Sequence, residues 1–375
     1  MTASAPALTQ RQSDERFMRA ALRVGERFIG QTAPNPSVGC LIVRDGVIVG
    51  QGATQKGGRP HAETEALRQA GERARGATLY VTLEPCSHHG VTAPCVDAII
   101  HAGVARVVGA LQDPDPRVAG RGYELLLQAG IEVTKDICAP EALRAHRGHV
   151  LRVTQARPML TLKLAQTKDG FAGAKMGEKR LIITGEEANH YVHMLRAQHD
   201  AIMVGVGTVR ADNPSLTVRL LGMTQSPLRI IIDSHLTTPV SSELISSVAK
   251  VPSFILCGEG VDAARKAVFL HHGVRIAEVP RLSSGDVDLH KAMHFLAQQG
   301  ITRVLCEGGP HLASALLDAG LVDDVLLLTA AHLEVHDGIA ALSRTHRSVL
   351  QHPSLYHLRA HGHMGADIYD WYERA

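Results

Sequence analysis

Four residues of this chain have side chains that suit metal-dependent hydrolysis: His61, Glu63, Cys86 and Cys95. One imidazole and two thiolates can hold a Zn²⁺ ion while a fourth tetrahedral position stays open, which distinguishes catalytic from structural zinc. Glu63 follows His61 by two residues and could carry protons to and from a reacting water. We therefore predict that His61, Cys86 and Cys95 bind zinc and that Glu63 is the general acid and base.

The order of these residues matches the zinc nucleobase deaminases, whose pattern is H-x-E followed by P-C-x-x-C. Here Pro85 precedes Cys86, but eight residues lie between the two cysteines. The longer loop between the ligands could recognise a substrate, and His88 in this loop is a candidate substrate contact. A structural zinc site closed by His88 or His89 is the alternative, although it would leave Glu63 without a task.

Composition narrows the class of protein. At 375 residues the chain is long enough for two domains, and its net charge of +2 with 3% aromatic residues argues against nucleic-acid binding. Its six cysteines are scattered, which indicates a reducing compartment. The start of the chain lacks the apolar run of a signal peptide, and no stretch has the length of a membrane span. We expect a cytoplasmic protein without a membrane partner.

The first half alternates strands and helices, which predicts a three-layer α/β domain over residues 1–150. Asp45-Gly46 marks a hairpin, and the prolines on both sides of Asn35 could hold its amide toward a substrate, with a plain Asx-turn as the alternative. The predicted helices cover 14–29, 61–70, 96–102 and 123–129, and the predicted strands 41–43, 47–50, 77–83, 105–111 and 131–133. The basic segment 147–155 has no core pattern of its own and is interpreted as a helix-like linker at the end of this domain.

The second half, 151–375, opens on an apolar strand at 158–165 and shows two glycine turns that follow strands. These turns are 205–208 and 308–309, the second of which precedes a predicted helix at 311–319. Glycines before a helix allow phosphate to approach free N–H groups, although such turns are also common as plain connections. The G-x-G-x-x-G fingerprint is absent, so an ordinary Rossmann domain is not predicted. The other predicted elements are a helix at 186–198, strands at 201–204 and 228–233, and a strand that enters the second glycine turn within 304–310.

Motifs along nearly the whole chain resemble one family, the bifunctional riboflavin-biosynthesis deaminase/reductases. The first half contributes His61-Ala62-Glu63, the stretch 82–90, Cys95 and Asp113-Pro114. The second half contributes Lys163, Thr184-Gly185, the stretch 195–198, Gly207-Thr208-Val209, the stretch 213–219 and Glu307-Gly308-Gly309.

The resemblance implies a cytidine-deaminase-like zinc domain followed by a dihydrofolate-reductase-like domain that uses NADPH. It implies deamination of 2,5-diamino-6-(5-phosphoribosylamino)pyrimidin-4(3H)-one and then reduction of the ribosyl group to ribityl. We expect a homo-oligomer that acts on this small molecule. The implied substrate positions of the second domain are Lys163, Arg180, Arg196, Leu216, Arg219 and Glu307. The implied cofactor positions are Gln166, Ile182, Thr208, Asp212, Ser234 and Gly309.

Some residues depart from the family pattern. Arg180 stands where a serine is usual, Ile182 where a tryptophan is usual, and Lys168 replaces a leucine in a turn. Two alternatives therefore stay open at this level. In one, the deaminase is active but the reductase domain is inactive or acts on another substrate; in the other, the chain is a non-catalytic protein that binds zinc and a nucleotide.

Overall fold

The computed structural model describes residues 8–88, 93–116, 118–174, 181–223 and 225–375. The chain divides into two compact units, Met1–Ala156 and Arg157–Ala375. Each unit is built on its own β-sheet with helices packed against it, so the predicted α/β class is confirmed. No helix in these described ranges is both long and apolar enough to span a membrane.

The first unit contains a sheet of strand order β2-β1-β3-β4-β5. The β1-β2 pair is the predicted hairpin, and Asp45 and Gly46 both have positive φ values, 52° and 74°, as a type I′ turn requires. β1 also pairs antiparallel with β3, while β3, β4 and β5 are parallel. The strands are β1 (Gly39–Arg44), β2 (Val47–Ala53), β3 (Thr78–Val81), β4 (Arg106–Gly109) and β5 (Glu132–Thr134).

Helices cover both faces of this sheet, which confirms the three layers. Short 3₁₀ turns add to them at Glu26–Phe28, Lys56–Gly58 and Gly71–Ala74. The helices are α1 (Gln10–Gly25), α2 (Ala62–Ala70), α3 (Cys95–His101), α4 (Arg121–Gln128) and α5 (Ala139–Gln155). Apolar residues of α2, α3 and α4 pack on one face of the sheet, and those of α1 and α5 pack on the other.

The segment 147–155, interpreted as a helix-like linker, is the second half of α5, so its helical character is confirmed. The helix buries Ala142, His146 and Leu151 while its other side stays polar. This narrow buried stripe contains a histidine and a glycine, so the apolar periodicity was too weak to read. Because Leu151 is buried, the segment has a packed side, and the expectation that it has no core pattern was wrong.

Two glycines let α2 lie directly on the hairpin. A Cβ atom at Gly50 would come within 2.3 Å of the Ala66 carbonyl oxygen, and one at Gly52 within 2.1 Å of the Ala62 carbonyl oxygen. Real Cβ atoms do not approach backbone this closely, so any other residue would push α2 away. The two glycines therefore set how closely α2, which begins next to His61 and carries Glu63, packs on the sheet.

The second unit contains a sheet of strand order β11-β10-β9-β8-β12-β6-β13-β16-β15. From β11 to β13 neighbouring strands are parallel, and the hairpin of β15 and β16 adds antiparallel to β13. Its strands are β6 (Met159–Thr167), β8 (Ala201–Gly205), β9 (Leu228–Ile232), β10 (Ser253–Gly258), β11 (Arg275–Val279), β12 (Arg303–Cys306), β13 (Asp324–Ala330), β15 (Tyr356–Met364) and β16 (Asp367–Arg374). A separate two-stranded sheet pairs β7 (Phe171–Gly173) with β14 (Ile339–Ala340).

Helices again lie on both faces of the large sheet, and its alternating apolar residues build separate clusters on the two sides. The helices are α6 (Glu186–Ala197), α7 (Val206–Asp212), α8 (Glu243–Ser246), α9 (Ala263–His271), α10 (Leu289–Gln298), α11 (Pro310–Asp318) and α12 (Arg344–Gln351). The parallel strands bring both glycine turns to the same edge of the sheet, because each turn follows the carboxyl end of its strand.

Candidate active sites

His61, Cys86 and Cys95 converge in the first unit although they come from three different elements. His61 is the residue before α2, Cys86 follows β3, and Cys95 begins α3. The possible ligand atoms of these residues all lie within 4.8 Å of one another. His61 Nδ1 is 3.3 Å from Cys95 Sγ and 3.7 Å from Cys86 Sγ. Among the described residues this group has three ligands, so a fourth position is left for a non-protein ligand.

The donor set fits zinc. Hydrogen bonds from the Cys95 thiol, from His61 and from the Cys95 backbone N–H lower the pKa of the Cys86 thiol to about 4. The same shared hydrogen bond raises the pKa of Cys95, because its proton is held between the two sulfurs. A dication in place of that proton would stabilise both thiolates. Together with one imidazole, they form a set that zinc binds well.

Glu63 is buried beside these ligands, with 4% of its surface exposed. Burial is the largest influence on its carboxyl group and raises its pKa above the ordinary value, and the charge of Cys86 adds to this effect. The Cys95 side chain is within hydrogen-bonding reach and acts in the opposite direction. A buried carboxyl group with a raised pKa can both accept and return a proton near neutrality.

The side chain of Asn35 is held by a hydrogen bond to the backbone. Its Nδ2 donates to the Gly58 carbonyl at 2.8 Å, and its own carbonyl accepts from Thr32 Oγ1 at 3.0 Å. Gly58 has a φ of 84° and leaves no room for a Cβ atom beside the Asn35 amide. Asn35 therefore ties the proline-rich turn to the segment that leads into His61, and its substrate role stays a prediction. His88 is exposed, and His89 lies outside the described residues.

Glu84 holds the loop on the other side of this site, a role that the sequence did not reveal. Its carboxylate accepts the backbone N–H groups of Gly120 and Gly122 at 2.9 Å each and that of Asp113 at 3.3 Å. Two residues later comes Cys86. The buried Glu84 side chain thus links the predicted zinc ligand Cys86 to the backbone at Asp113 and at the start of α4. Local sequence offers no signal for such distant backbone partners.

Helix α5 contributes two histidines that the sequence analysis left without a role. His149 Nε2 lies 3.1 Å from Asp113 Oδ1, and His146 Nε2 lies 3.0 Å from Thr82 Oγ1. The two histidines are three residues apart and therefore lie on one face of the helix. Together with the helix-like character predicted for 147–155, that spacing could have identified them.

In the second unit, Arg196 and Glu307 form a salt bridge. Arg196 donates from Nε and Nη2 to the two carboxylate oxygens at 2.5 and 2.8 Å, and from Nη1 to the Thr217 carbonyl at 2.9 Å. Burial would raise the pKa of Glu307, but the hydrogen bond and charge of Arg196 outweigh it, and Lys163 and His193 also help to lower the pKa. The predicted substrate residues Lys163, Arg196 and Glu307 are therefore brought together.

The loop that carries Leu216 and Arg219 is fixed from several sides. Leu216 is buried at 3% exposure with a left-handed φ of 50°. The exposed Arg219 donates from Nη1 to Ser215 Oγ and Thr217 Oγ1, while its backbone N–H donates to His193 Nδ1 at 3.2 Å. Two hydroxyl groups and a guanidinium thus face the same space, which suits an anion.

The two glycine turns meet directly. The backbone N–H of Gly309 donates to Thr208 Oγ1 at 2.9 Å, and α11 begins immediately afterwards. Free N–H groups at a helix start are a typical place for phosphate. Asp212 is the last residue of α7. Ser234 lies just after β9, and its hydroxyl oxygen accepts a hydrogen bond from the backbone N–H of Val287.

Other predicted cofactor residues have different surroundings. Gln166 is buried, donates to Thr329 Oγ1 at 3.0 Å and accepts from Arg347 Nη2 at 2.7 Å. Ile182 is 86% exposed. Arg180 lies outside the described residues. Arg347, on α12, was missed because its segment carried no motif.

Comparison with known proteins identifies both units. Residues 11–111 match the family model described as the cytidine and deoxycytidylate deaminase zinc-binding region, and residues 158–333 match the RibD C-terminal domain. The fold and the two sites therefore define a two-domain enzyme in which a zinc-dependent deaminase precedes an NADPH-type reductase.

Full-length relatives share this arrangement. The riboflavin biosynthesis protein RibD of Escherichia coli K12 is 41% identical over 368 residues, which cover 95% of this chain and 98% of that protein. That of Aquifex aeolicus is 40% identical over 85% of this chain and 87% of its own. The solved structure of Acinetobacter baumannii RibD, form 2, has a TM-score of 0.84 at 33% identity and covers 98% of this chain and 100% of its own. The chain belongs to the RibD family of riboflavin biosynthesis proteins.

Proposed function

We propose that the first unit deaminates 2,5-diamino-6-(5-phosphoribosylamino)pyrimidin-4(3H)-one and that the second unit reduces the ribosyl group of the product to ribityl. The observation that carries this proposal is the convergence of His61, Cys86 and Cys95 beside the buried carboxyl group of Glu63. It is supported by the solved structure of a Thermotoga maritima diaminohydroxyphosphoribosylaminopyrimidine deaminase/5-amino-6-(5-phosphoribosylamino)uracil reductase, to which this chain is similar with a TM-score of 0.84 at 29% identity.

In the deaminase, His61, Cys86 and Cys95 would hold the metal, which when bound lowers the pKa of a water and makes it a nucleophile at neutral pH. Glu63 moves the protons. One carboxylate oxygen takes a proton from the attacking water and later delivers it to the departing amino nitrogen, so that one water is consumed and one ammonia is released. Burial keeps this carboxyl group away from bulk water, so the proton stays in the site.

In the reductase, bound NADPH supplies the hydride, and the chain supplies binding and orientation. Arg219, with the hydroxyl groups of Ser215 and Thr217, would bind the phosphate of the ribotide. Arg196 donates to both carboxylate oxygens of Glu307 and to the Thr217 carbonyl, so this arginine links the Glu307 carboxylate to the loop that carries Arg219. Thr208 and Gly309 would receive the cofactor phosphates at the start of α11.

The proton role of Glu63 is tested with Glu63→Gln in the full-length protein. We expect ammonia release to fall by at least about 10²-fold, because general acid and base catalysis is lost, while bound zinc is unchanged by elemental analysis. Glu65→Gln, on the same helix, is the matched control because Glu65 pairs with exposed Arg68. Deaminase activity that survives Glu63→Gln would show that Glu63 is not the proton carrier.

A further inference from the structure

A basic pair lies at the carboxyl edge of the second sheet, outside the residues assigned to substrate or cofactor. Arg281 follows β11 and His235 follows β9, yet Arg281 Nη1 is 3.3 Å from His235 Nδ1. Arg281 is half-buried and His235 exposed. The pair joins segments that are 46 residues apart in the chain.

The guanidinium is held in place without a carboxylate partner in the described part of the chain. Its Nε donates to the Glu259 carbonyl at 2.9 Å, and its Nη1 donates to the Gly285 carbonyl at 2.7 Å. It also lies across Gly258, where a Cβ atom would come within 2.3 Å of Arg281 Cζ. The nearby carboxylate of Glu278 is paired with Lys266 at 2.5 Å. Two carbonyl groups thus fix the orientation of the Arg281 guanidinium, and no direct ion pair with a described residue neutralises its charge.

The order of the strands shows what could reach this charge. Along the carboxyl edge lie β6, β12, β8, β9, β10 and β11 in turn. Lys163 and Gln166 belong to β6, the two glycine turns follow β12 and β8, and Ser234 follows β9. A dinucleotide with its nicotinamide near β6 and its pyrophosphate at the glycine turns therefore has its adenosine half near β9 and β10.

The acidic residue at the end of β9 does not oppose a phosphate there. Asp233 is 1% exposed, and its carboxylate accepts the N–H and hydroxyl of Thr238 and the hydroxyl of Thr237. In dinucleotide sites an acid on the adenosine ribose favours NAD, whereas an arginine accommodates the 2′-phosphate of NADP. In this chain the carboxylate of Asp233 is buried, whereas Arg281 is partly exposed at the carboxyl edge of the sheet.

We propose that Arg281, with the His235 ring and the Ser234 hydroxyl, binds the 2′-phosphate of NADPH and makes the reductase prefer NADPH to NADH. The Ser234 oxygen already accepts the Val287 N–H, so its hydroxyl hydrogen can be donated to the phosphate. Arg281 Nη2 makes no hydrogen bond to the described residues and can donate to a second phosphate oxygen. This inference rests on the proposed NADPH-dependent reductase.

Isothermal titration of the full-length protein with 2′,5′-ADP and with 5′-AMP tests the inference without turnover. The wild-type protein should bind 2′,5′-ADP about tenfold or more tightly than 5′-AMP, as a charge-assisted contact predicts. Arg281→Gln should remove most of this difference and leave 5′-AMP binding unchanged. His235→Ala, at an exposed position, should reduce the difference severalfold. Arg275→Gln is the matched control, because Arg275 lies at the opposite end of β11.

The outcomes separate the two claims. If Arg281→Gln or His235→Ala retains the full preference for 2′,5′-ADP, the assignment of the 2′-phosphate site is overturned while the reductase proposal stands. Equal losses for both ligands would also overturn it, since they would indicate general damage to the site. If the wild-type protein binds neither 2′,5′-ADP nor NADPH, the proposed reductase function fails together with the inference.

Discussion

At the scale of single residues, Arg196 and Glu307 form a buried ion pair in the second unit. Their side chains are 12% and 9% exposed, so water screens the charges only weakly. Removing one partner of such a pair leaves an uncompensated charge, which is far costlier than losing a surface pair. Both residues are also predicted substrate positions, so stability and reduction should respond together.

Glu307→Gln should lower the unfolding free energy of the second unit by about 3 kcal/mol and abolish reduction, because Arg196 loses its counter-charge. Trp371, the single tryptophan, lies on β16 and reports unfolding of this unit by fluorescence. Glu334→Gln, which breaks the exposed pair with Lys168, should leave stability nearly unchanged. Deamination should continue in Glu307→Gln; a variant that is stable and still reduces its substrate would contradict this role.

His199 gives the second unit a defined response to acid. Its Nδ1 donates to the Leu195 carbonyl at 2.7 Å, its Nε2 accepts from Thr161 Oγ1 at 3.0 Å, and burial lowers its pKa to about 3. The unfolded chain takes up a proton here near pH 6.5, whereas the folded unit stays neutral. Stability is therefore full above pH 6.5 and declines by about 1.4 kcal/mol per pH unit as pH falls toward 3.

His199→Asn keeps a donor for the Leu195 carbonyl but cannot titrate. Urea unfolding followed by Trp371 at pH 7 and pH 5 should show a smaller loss of stability in His199→Asn than in the wild-type protein. The difference should correspond to about one proton, or roughly 2 kcal/mol over the interval from pH 6.5 to 5. Identical pH dependence in both proteins would mean that His199 is not buried in its neutral form.

Whether a site residue could be predicted from the sequence depends on the kind of group with which its side chain interacts. His61, Glu63, Cys86 and Cys95 are readable because metal chemistry restricts both the residue types and their order along the chain. Glu84 was part of the same motif, but its partners are backbone N–H groups nearly thirty to forty residues away, and any residue type provides those. Arg281 and His235 were missed for a similar reason, since their meeting depends on the order of the strands.

At the scale of elements, the deaminase site depends on how the end of β3 is tied to the loop before α4. Glu84 accepts the backbone N–H groups of Asp113 and Gly120 in that loop and of Gly122 in the first turn of α4. A Cβ atom at Gly122 would approach the Pro85 carbonyl oxygen to 2.3 Å. Pro85 is followed by Cys86. The position of one metal ligand is therefore linked to the path of the loop that carries Asp113.

Glu84→Gln should reduce deamination and destabilise the first unit by about 1–3 kcal/mol, because an amide nitrogen replaces one acceptor oxygen beside buried N–H groups. The change is measured by ammonia release and by zinc content after dialysis against a weak chelator. Glu124→Gln, an exposed residue on α4, is the matched control. Full deaminase activity with unchanged zinc retention in Glu84→Gln would contradict the proposed coupling.

Element prediction succeeded where periodicity was strong and failed where it was mixed. The hairpin at Asp45-Gly46 and the helices after the zinc ligands were predicted close to their observed bounds. The second half of α5 was interpreted only as a helix-like linker, because the buried stripe of this helix includes His146 and Gly148 and its apolar pattern is weak. The hairpin of β15 and β16 was not foreseen, since strand β15 is largely exposed and carries histidines and an arginine instead of alternating apolar residues.

At the scale of the whole molecule, the chain contains two compact units, each with its own sheet, cores and polar site. The predicted deaminase residues all lie in Met1–Ala156, and the predicted reductase residues all lie in Arg157–Ala375. A change in one site should therefore leave the other reaction intact, and the single-site variants above use this independence as their internal control.

The central claim is that one chain performs both reactions in order, and mass spectrometry of the products tests it most directly. Zinc-loaded full-length protein is incubated with 2,5-diamino-6-(5-phosphoribosylamino)pyrimidin-4(3H)-one, with and without NADPH. We predict the deaminated ribosyl product alone without NADPH and the ribityl product when NADPH is present. Deamination that NADPH does not extend would contradict an active reductase, and the absence of both products would contradict the proposed substrate.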